Sequence, residues 1–317
     1  MRLYTFSVKG NPNSETRTGV ETESGKILDI NLSASSILKE SGEKDFSVLA
    51  AKHASPNMLE LIGNWDHAKG IISKALKGDV RNGPGRERAL FSFDEVRFYA
   101  PLLRPWRIHD FMVGKTHVMN SFNGKLPTNW EKFPVCYKGN PDSIIGPEDK
   151  VKKPRYTEKL DYELELGMII GKKGIDVTLV DAPKYIFGYT IFNDYSARDI
   201  QFEEMAVGLG PFKGKDFATA IGPCIVTADE MDPTTVKMTA SVNGEMWSSG
   251  YLNDMEFSFP EIIEYLSSEE YIFPGDLIGS GTIGGGCGLE LGKSLKIGDE
   301  VVLEVEKIGK LRNYVVG

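Results

Sequence analysis

Residues 160–170, Leu-Asp-Tyr-Glu-Leu-Glu-Leu-Gly-Met-Ile-Ile, hold the pattern that decides how the chain is interpreted. If this stretch is one strand, Asp161, Glu163 and Glu165 share one face and the leucines share the other. The apolar run at 168–170 predicts that the strand enters a core. Adjacent carboxylates repel each other unless water or a cation neutralises them. Both a solvated sheet face and a cation site therefore remain open.

A second polar cluster follows the apolar segment 186–193. It begins with Asn193 and Asp194 and continues with Arg198, Asp199 and Gln201. Side chains at the end of a core strand are often functional, because a rigid scaffold positions them. Asn-Asp is also a common turn or helix N-cap pair, so this interpretation stays open as well. We interpret Arg198 as structural, pairing with a carboxylate.

Histidines and glycines mark two further candidate regions. His109 and His117 lie near Asp110, whereas His53 and His67 fall in a helical stretch and are interpreted as surface or core residues. The glycine-rich stretch 280–290 lacks the lysine of a phosphate-binding loop. Its backbone is suited instead to close approach to a small ligand.

Composition excludes several classes of function. The 317 residues carry 37 Lys and Arg against 45 Asp and Glu, a formal charge of −8, which argues against a nucleic-acid-binding surface. We expect no membrane contact, because no apolar run approaches the roughly 20 residues that span a bilayer. The N-terminus shows no export signal, and three cysteines fit no disulfide framework, so we expect a cytoplasmic protein.

The chain is predicted to form two domains, 1–100 and 101–317. The first is a small α+β domain with a strand at 3–8, a hairpin over 17–30 turning at Ser24-Gly25, and helices between 45 and 76. Residues 77–88 have the composition of a linker or loop. Beyond Pro101 we predict strands at 160–170, 186–193, 224–227, 237–242, 277–279 and 300–305. A hairpin turn is predicted at Asn243-Gly244 and a helix at 259–266.

From about 101 to 305 the chain resembles the fumarylacetoacetate hydrolase family. The ordered set of motifs carries the resemblance: Asp110-Phe111 with His117, Pro-Val-Cys-Tyr-Lys-Gly-Asn at 134–140, 161–165, 187–201, 209–215, and Gly281-Thr282-Ile283 with Leu289-Glu290-Leu291. The resemblance implies an α+β, mostly β fold, with a mixed β-sheet roll and a small N-terminal domain. It also implies a divalent metal and a homodimer.

The resemblance assigns roles residue by residue. It implies metal ligation by Asp110, Glu163, Glu165 and Asp194, and a catalytic dyad of His117 as base with Glu290. It further implies that Tyr137, Gln201, Lys215 and Thr282 contact the substrate, with Lys215 and Gln201 stabilising negative charge. Oxygen donors favour a hard cation, so one Mg²⁺ per chain is expected, with Ca²⁺ or Mn²⁺ as alternatives.

Two positions depart from the enzyme that names the family. Leu126 replaces an arginine that would bind a substrate carboxylate, and Met112 replaces a tyrosine. We therefore expect substrates with a neutral distal group. Residues 115–133 are predicted to form a lid.

The expected activity is metal-dependent hydrolysis of a C–C bond in a 1,3-diketo acid, such as an acylpyruvate, within aromatic catabolism. The His-Glu dyad would activate water. Hydration, decarboxylation or isomerisation of a 2-oxo acid is the alternative within the family. An inactive metal-binding protein is a remote alternative.

Overall fold

The computed structural model describes residues 1–10, 15–78 and 80–317. Its helices are α1 (Ile30–Glu40), α2 (Phe46–His53), α3 (Met58–Gly63), α4 (Trp65–Lys77), α5 (Lys115–Ser121), α6 (Arg198–Ala206), α7 (Phe259–Leu266) and α8 (Gly288–Leu291).

Strands form most of the rest of the fold. In chain order they are β1 (Arg2–Val8), β2 (Arg17–Glu21), β3 (Ile27–Asp29), β4 (Leu90–Phe91), β5 (Val96–Phe98), β6 (Ile108–Phe111), β7 (Cys136–Gly139), β8 (Ile144–Ile145), β9 (Lys150–Lys152), β10 (Leu160–Asp161), β11 (Leu164–Ile170), β12 (Ile186–Asp194), β13 (Ser196–Ala197), β14 (Thr219–Thr227), β15 (Lys237–Val242), β16 (Glu245–Tyr251), β17 (Leu277–Gly279), β18 (Glu300–Val305) and β19 (Gly309–Val316).

These strands make two main sheets of mixed direction. The larger runs β4-β3-β2-β1-β14-β12-β11-β17-β6-β7, with β5 added to β1 and β8 to β14. The other runs β16-β15-β18-β19-β9, and β10 pairs separately with β13. An apolar core that includes side chains of β11, β12, β15 and β18 joins the two sheets. The predicted fold class, α+β and mostly β, is confirmed.

Local sequence patterns predicted several of these elements closely. β15, β17 and β18 have the predicted bounds, and Asn243 and Gly244 turn between β15 and β16 with φ of 52° and 79°. Helix α7 also matches its prediction. It begins with a capping box between Ser258 and Glu261 and buries Phe259 and Ile263.

Several elements differ from prediction, and β14 begins at Thr219 rather than at 224. Residues 160–170 form two strands, β10 and β11, and Glu163 lies between them in an isolated bridge to Cys287. Helix α1 was missed, because the serines on its buried side obscure the apolar period. Asp29 caps that helix by accepting a hydrogen bond of 2.9 Å from the Leu32 amide.

The N-terminal region and the remainder share the larger sheet. β1 pairs antiparallel with β14, placing Leu3 opposite Ile225. Tyr4 and Phe6 belong to the same apolar core as side chains of β11 and β12. The division into domains 1–100 and 101–317 stays a prediction. In the described residues no helix is both long and apolar enough to cross a membrane.

Candidate active site

Sheet pairing brings distant carboxylates together. β17 lies between β6 and β11, so Gly279 is paired with both Asp110 and Gly167. A side chain at Gly279 would collide, since a Cβ there would lie 2.3 Å from Asp110 Oδ1 and 3.1 Å from Glu165 Oε2. Carboxylate oxygens of Asp110, Glu163 and Glu165 lie within 4.8 Å of one another, and all three residues are buried. We call these three residues and Asp194 the carboxylate cluster.

Asp194 joins the cluster through Lys215. It ends β12 with no exposed surface (0%) and pairs with the Lys215 ammonium at 2.5 Å. The same ammonium lies 2.6 Å from Glu163 Oε2, and the Tyr137 hydroxyl donates to Asp194 Oδ2 at 2.6 Å. The alternative that Asp194 caps a turn or helix is wrong, because its side chain faces the cluster.

The four carboxyl groups of the cluster differ in the direction in which their pKa is shifted. Burial, reinforced by neighbouring carboxylates, raises the pKa of Asp110 and of Glu165 well above their ordinary values. Burial would also raise the pKa of Glu163, but Arg198 and Lys215 outweigh it and hold that pKa low. Burial likewise raises the pKa of Asp194, and Lys215 only partly offsets the effect. A solvated acidic face is therefore excluded.

The residues present fit a divalent cation. Asp110 Oδ1 and Asp194 Oδ1 are buried and have no hydrogen-bond partner among the described residues. Such atoms are costly unless something neutralises them. Every carboxylate in the cluster retains free lone pairs, and an all-oxygen donor set suits Mg²⁺, Mn²⁺ or Ca²⁺. The donors that would hold the cation are those of the carboxylate cluster.

A histidine and a glutamate lie beside the cluster. His117, on α5, is joined through Nδ1 to Glu290 Oε1, on α8, at 2.8 Å. The other Glu290 oxygen accepts hydrogen bonds from the Gly285 amide at 2.9 Å and from Asn120 Nδ2 at 2.6 Å. Burial tends to raise the pKa of Glu290, but the hydrogen bonds, led by that from His117, lower it overall.

Asp161 lies outside the cluster and braces it. Its carboxylate accepts hydrogen bonds from the Gly288 and Leu289 amides at 2.7 and 2.9 Å, and from Arg198 Nε at 2.8 Å. Arg198 also pairs with Glu163 Oε1 at 2.7 Å and donates to Gln201 Oε1 at 3.1 Å. Gln201 thus reaches the cluster only through the arginine.

The glycine-rich stretch closes one wall of the site. The Gly281 amide donates to Glu165 Oε2 at 2.9 Å, and the Thr282 hydroxyl lies 3.3 Å from Glu165 Oε1. His109 is not part of the site. It is buried without a partner for Nδ1 among the described residues, and burial lowers its pKa to about 4.

The segment predicted as a lid is anchored at both ends. Helix α5 begins it, and near its end the buried Trp130 donates through Nε1 to the Met112 carbonyl at 2.7 Å. Between them, Lys125 is exposed and Leu126 is half-buried. Whether the segment moves stays a prediction.

Sequence reasoning missed two side chains of this site. Asn120 lies three residues after His117, a spacing that puts both on one face of a helix. Cys287 is fully buried and its Sγ lies 3.5 Å from Glu290 Oε1. The helical spacing could have identified Asn120, and Cys287 likewise lies three residues before Glu290.

Residues 108–316 match the family model described as "Fumarylacetoacetate (FAA) hydrolase C-terminal". The chain belongs to the fumarylacetoacetate hydrolase family. The matched range contains all the site residues described above.

Relatives within the fumarylacetoacetate hydrolase family carry names of different activities. The chain is 34% identical over 266 residues to oxaloacetate tautomerase YisK of Bacillus subtilis, covering 82% of this chain and 86% of that protein. It is 37% identical over 226 residues to the human mitochondrial oxaloacetate tautomerase FAHD2A, covering 70% of each. A solved maleylpyruvate hydrolase from Sphingobium sp. SYK-6, in complex with manganese(II) and pyruvate, is 25% identical, with a TM-score of 0.72 over 100% of this chain and 99% of that one.

These family members include enzymes, one of them with a bound divalent cation. The family thus agrees with expectation, and the manganese-bound relative supports a divalent cation. The carboxylate cluster as its binding site stays a prediction. The names of the curated relatives favour isomerisation of a 2-oxo acid, which was the alternative, over C–C hydrolysis.

Proposed function

We propose that this protein is a divalent-metal-dependent tautomerase that interconverts the keto and enol forms of oxaloacetate or a similar 2-oxo acid. One observation carries the proposal: the buried His117–Glu290 pair, 2.8 Å apart, adjoins a cluster of carboxylates suited to a cation. Two curated relatives named oxaloacetate tautomerase support the choice of reaction.

Tautomerisation needs a group that moves a proton between carbon and oxygen. A cation held by the carboxylate cluster would draw electron density from the oxygens of the 2-oxo acid and so favour the enolate. His117 would take the proton from carbon and deliver it to the enolate oxygen, and the reverse transfer would give back the keto form. Glu290 fixes the orientation of the imidazole and stabilises its charged form.

Lys215 contributes positive charge within the carboxylate cluster. Burial would lower its pKa, but Asp194 and Glu163 outweigh burial and raise it, so the side chain is an ammonium. An ammonium in a buried site stabilises developing oxyanion charge, a contribution often worth about 3–4 kcal/mol. Tyr137 and Thr282 border the same space and would orient the substrate.

The experiment follows ketonisation of enol-oxaloacetate with Mg²⁺ or Mn²⁺ present. We expect the enol absorbance to decay faster than in buffer, with deuterium entering C3 in D₂O and every carbon retained. Excess chelator should abolish the acceleration and added cation restore it. No acceleration over buffer with any of these cations contradicts the proposal.

Hydrolysis of an acylpyruvate is the second candidate, because the same dyad could activate water and maleylpyruvate hydrolase shares the fold. Products separate the candidates: hydrolysis releases pyruvate and a carboxylic acid, and decarboxylation releases CO₂. With Leu126 at the lid, acetylpyruvate should be a better substrate for hydrolysis than fumarylacetoacetate. Acetylpyruvate cleavage without enol ketonisation would make hydrolysis the function.

A further inference from the structure

A second group of metal-ligating side chains lies next to the carboxylate cluster and differs from it in chemistry. His117, Cys287 and Glu290 offer a ring nitrogen, a thiol sulfur and a carboxylate oxygen that all lie within 4.8 Å of one another. We propose that these three side chains bind Zn²⁺ or a similarly soft divalent cation, and that this cation inhibits the enzyme by occupying the His117–Glu290 pair.

The donor types point to zinc rather than magnesium. Nitrogen, sulfur and one oxygen form the mixed ligand set that zinc accepts, whereas Mg²⁺ and Ca²⁺ take oxygen. The carboxylate cluster provides only oxygen. The two groups therefore select different cations, even though they adjoin.

Two of the three distances between donor atoms lie near those of tetrahedral zinc, and the third is within 4.8 Å. Bonds of about 2.0–2.3 Å to zinc separate neighbouring ligand atoms by about 3.3–3.6 Å. Cys287 Sγ and Glu290 Oε1 are 3.5 Å apart, already within that range. His117 Nδ1 and Glu290 Oε1, at 2.8 Å, would have to separate by about half an ångström if both bind. Solvent could supply the fourth ligand.

The charges around this site are mixed. Zinc would displace the thiol proton of Cys287, giving two anionic ligands and one neutral ligand around a doubly charged ion. Burial raises the pKa of that thiol, and of the nearby charges Arg198 lowers it whereas Asp161 and Glu163 raise it. The positive charge of Arg198 is already paired with these two carboxylates at 2.8 and 2.7 Å.

Access to this site does not require unfolding. Glu290 Oε2 is held by Asn120, an exposed residue, so the dyad lies directly beneath the surface. Cys287 contacts Glu290 but supplies the only sulfur donor of the three side chains. Its replacement should therefore remove the thiolate ligand specifically.

The test uses the full chain saturated with Mg²⁺ and titrated with Co²⁺ or Zn²⁺. Cobalt should produce a thiolate-to-metal absorption band that is lost in Cys287→Ser and in Cys287→Ala. The matched control, Cys136→Ser, removes an exposed cysteine and should keep the band. His117→Ala should weaken cobalt binding.

Inhibition provides the second measurement and rests on the proposed function. Zinc should inhibit wild type despite excess Mg²⁺, and Cys287→Ser should raise the half-inhibiting concentration by at least about 10–100-fold, with inhibition of each protein measured relative to its own activity without zinc. No thiolate band in wild type, or equal zinc inhibition in Cys287→Ser, overturns the inference. Because the cobalt band needs no substrate, it tests the site even if the proposed reaction is wrong.

Discussion

At the scale of single residues, Glu165 and Glu163 differ although they lie two positions apart. Glu165 accepts hydrogen bonds from Gly281 and Thr282, whereas Glu163 pairs with the buried charges of Arg198 and Lys215. Removing Glu163 would leave those cations poorly paired, which typically costs about 3–5 kcal/mol. Glu165 is therefore the better position at which to test metal binding.

Glu165→Gln should weaken Mg²⁺ or Mn²⁺ binding by more than the roughly 10–100-fold that loss of an outer partner causes. The amide keeps the shape and can still accept the Gly281 hydrogen bond, so the fold should be retained. Calorimetric titration with Mn²⁺ measures the affinity. Glu203→Gln, at an exposed position, is the control. Unchanged affinity in Glu165→Gln would remove Glu165 from the ligand set.

His117→Ala should lower kcat/KM by about 10²–10⁴-fold, the usual contribution of a general base. Affinity for Mg²⁺ should hardly change, because His117 is not among the proposed ligands of the hard cation. Glu290→Gln should cost less than His117→Ala, since it keeps a hydrogen bond to the imidazole but loses the charge. His67→Ala, in α4, is the control. Equal activity in His117→Ala and wild type would exclude the dyad.

At the scale of elements, Asp161 ties three parts of the fold together. It belongs to β10, holds the first amides of α8 and pairs with Arg198 at the start of α6. Because α8 carries Glu290, this brace positions one half of the dyad. Asp161 thus acts on the site without belonging to the carboxylate cluster.

Asp161→Ala should therefore destabilise the protein by about 3–5 kcal/mol, because it leaves Arg198 partly uncompensated at a buried site. Denaturant unfolding measures this loss. Asp142→Ala is the matched control, because it breaks only the exposed pair with Arg104 and should cost about 0–1 kcal/mol. A loss as small as the control's would mean that α8 is held by other contacts.

At the scale of the whole molecule, the carboxylate cluster links stability to pH and to the cation. A raised pKa in the folded state, as for Asp110 and Glu165, gives stability that is present in acid and lost as pH rises. The lowered pKa of Glu163 has the opposite effect, because the stability it gives is lost as pH falls, but only in stronger acid. From weakly acidic to neutral pH, the metal-free protein should thus become less stable.

Chelator-treated protein should show a Tm that falls between weakly acidic and neutral pH, and added Mn²⁺ should reverse the fall. Binding of a cation to the folded state alone stabilises by mass action. Glu165→Gln should flatten the pH dependence, because it removes one of the cluster carboxyls whose pKa is raised. Thermal unfolding followed by circular dichroism measures it. A Tm that rises over the same range without metal would contradict the assigned pKa directions.

Local sequence determined much of the fold and the donors of the site. Helix α7, the turn at Asn243-Gly244 and strands such as β15 follow from contacts within a few residues, where periodicity and turn chemistry act directly. The ordered motifs likewise identified the family, and the acidic side chains that they contain are those that the sheet brings together.

Only the tertiary structure decided which of those side chains join the carboxylate cluster, which form the dyad and which brace the site. His117 and Glu290 are 173 positions apart, and no local period relates them. Because β10 pairs with β13, it does not continue directly into β11. Asp161 therefore contacts Arg198 and α8 and does not join the carboxylate cluster. Asn120 meets Glu290 because α5 and α8 pack together. Long-range packing sets these contacts, and local sequence patterns carry no information about that packing.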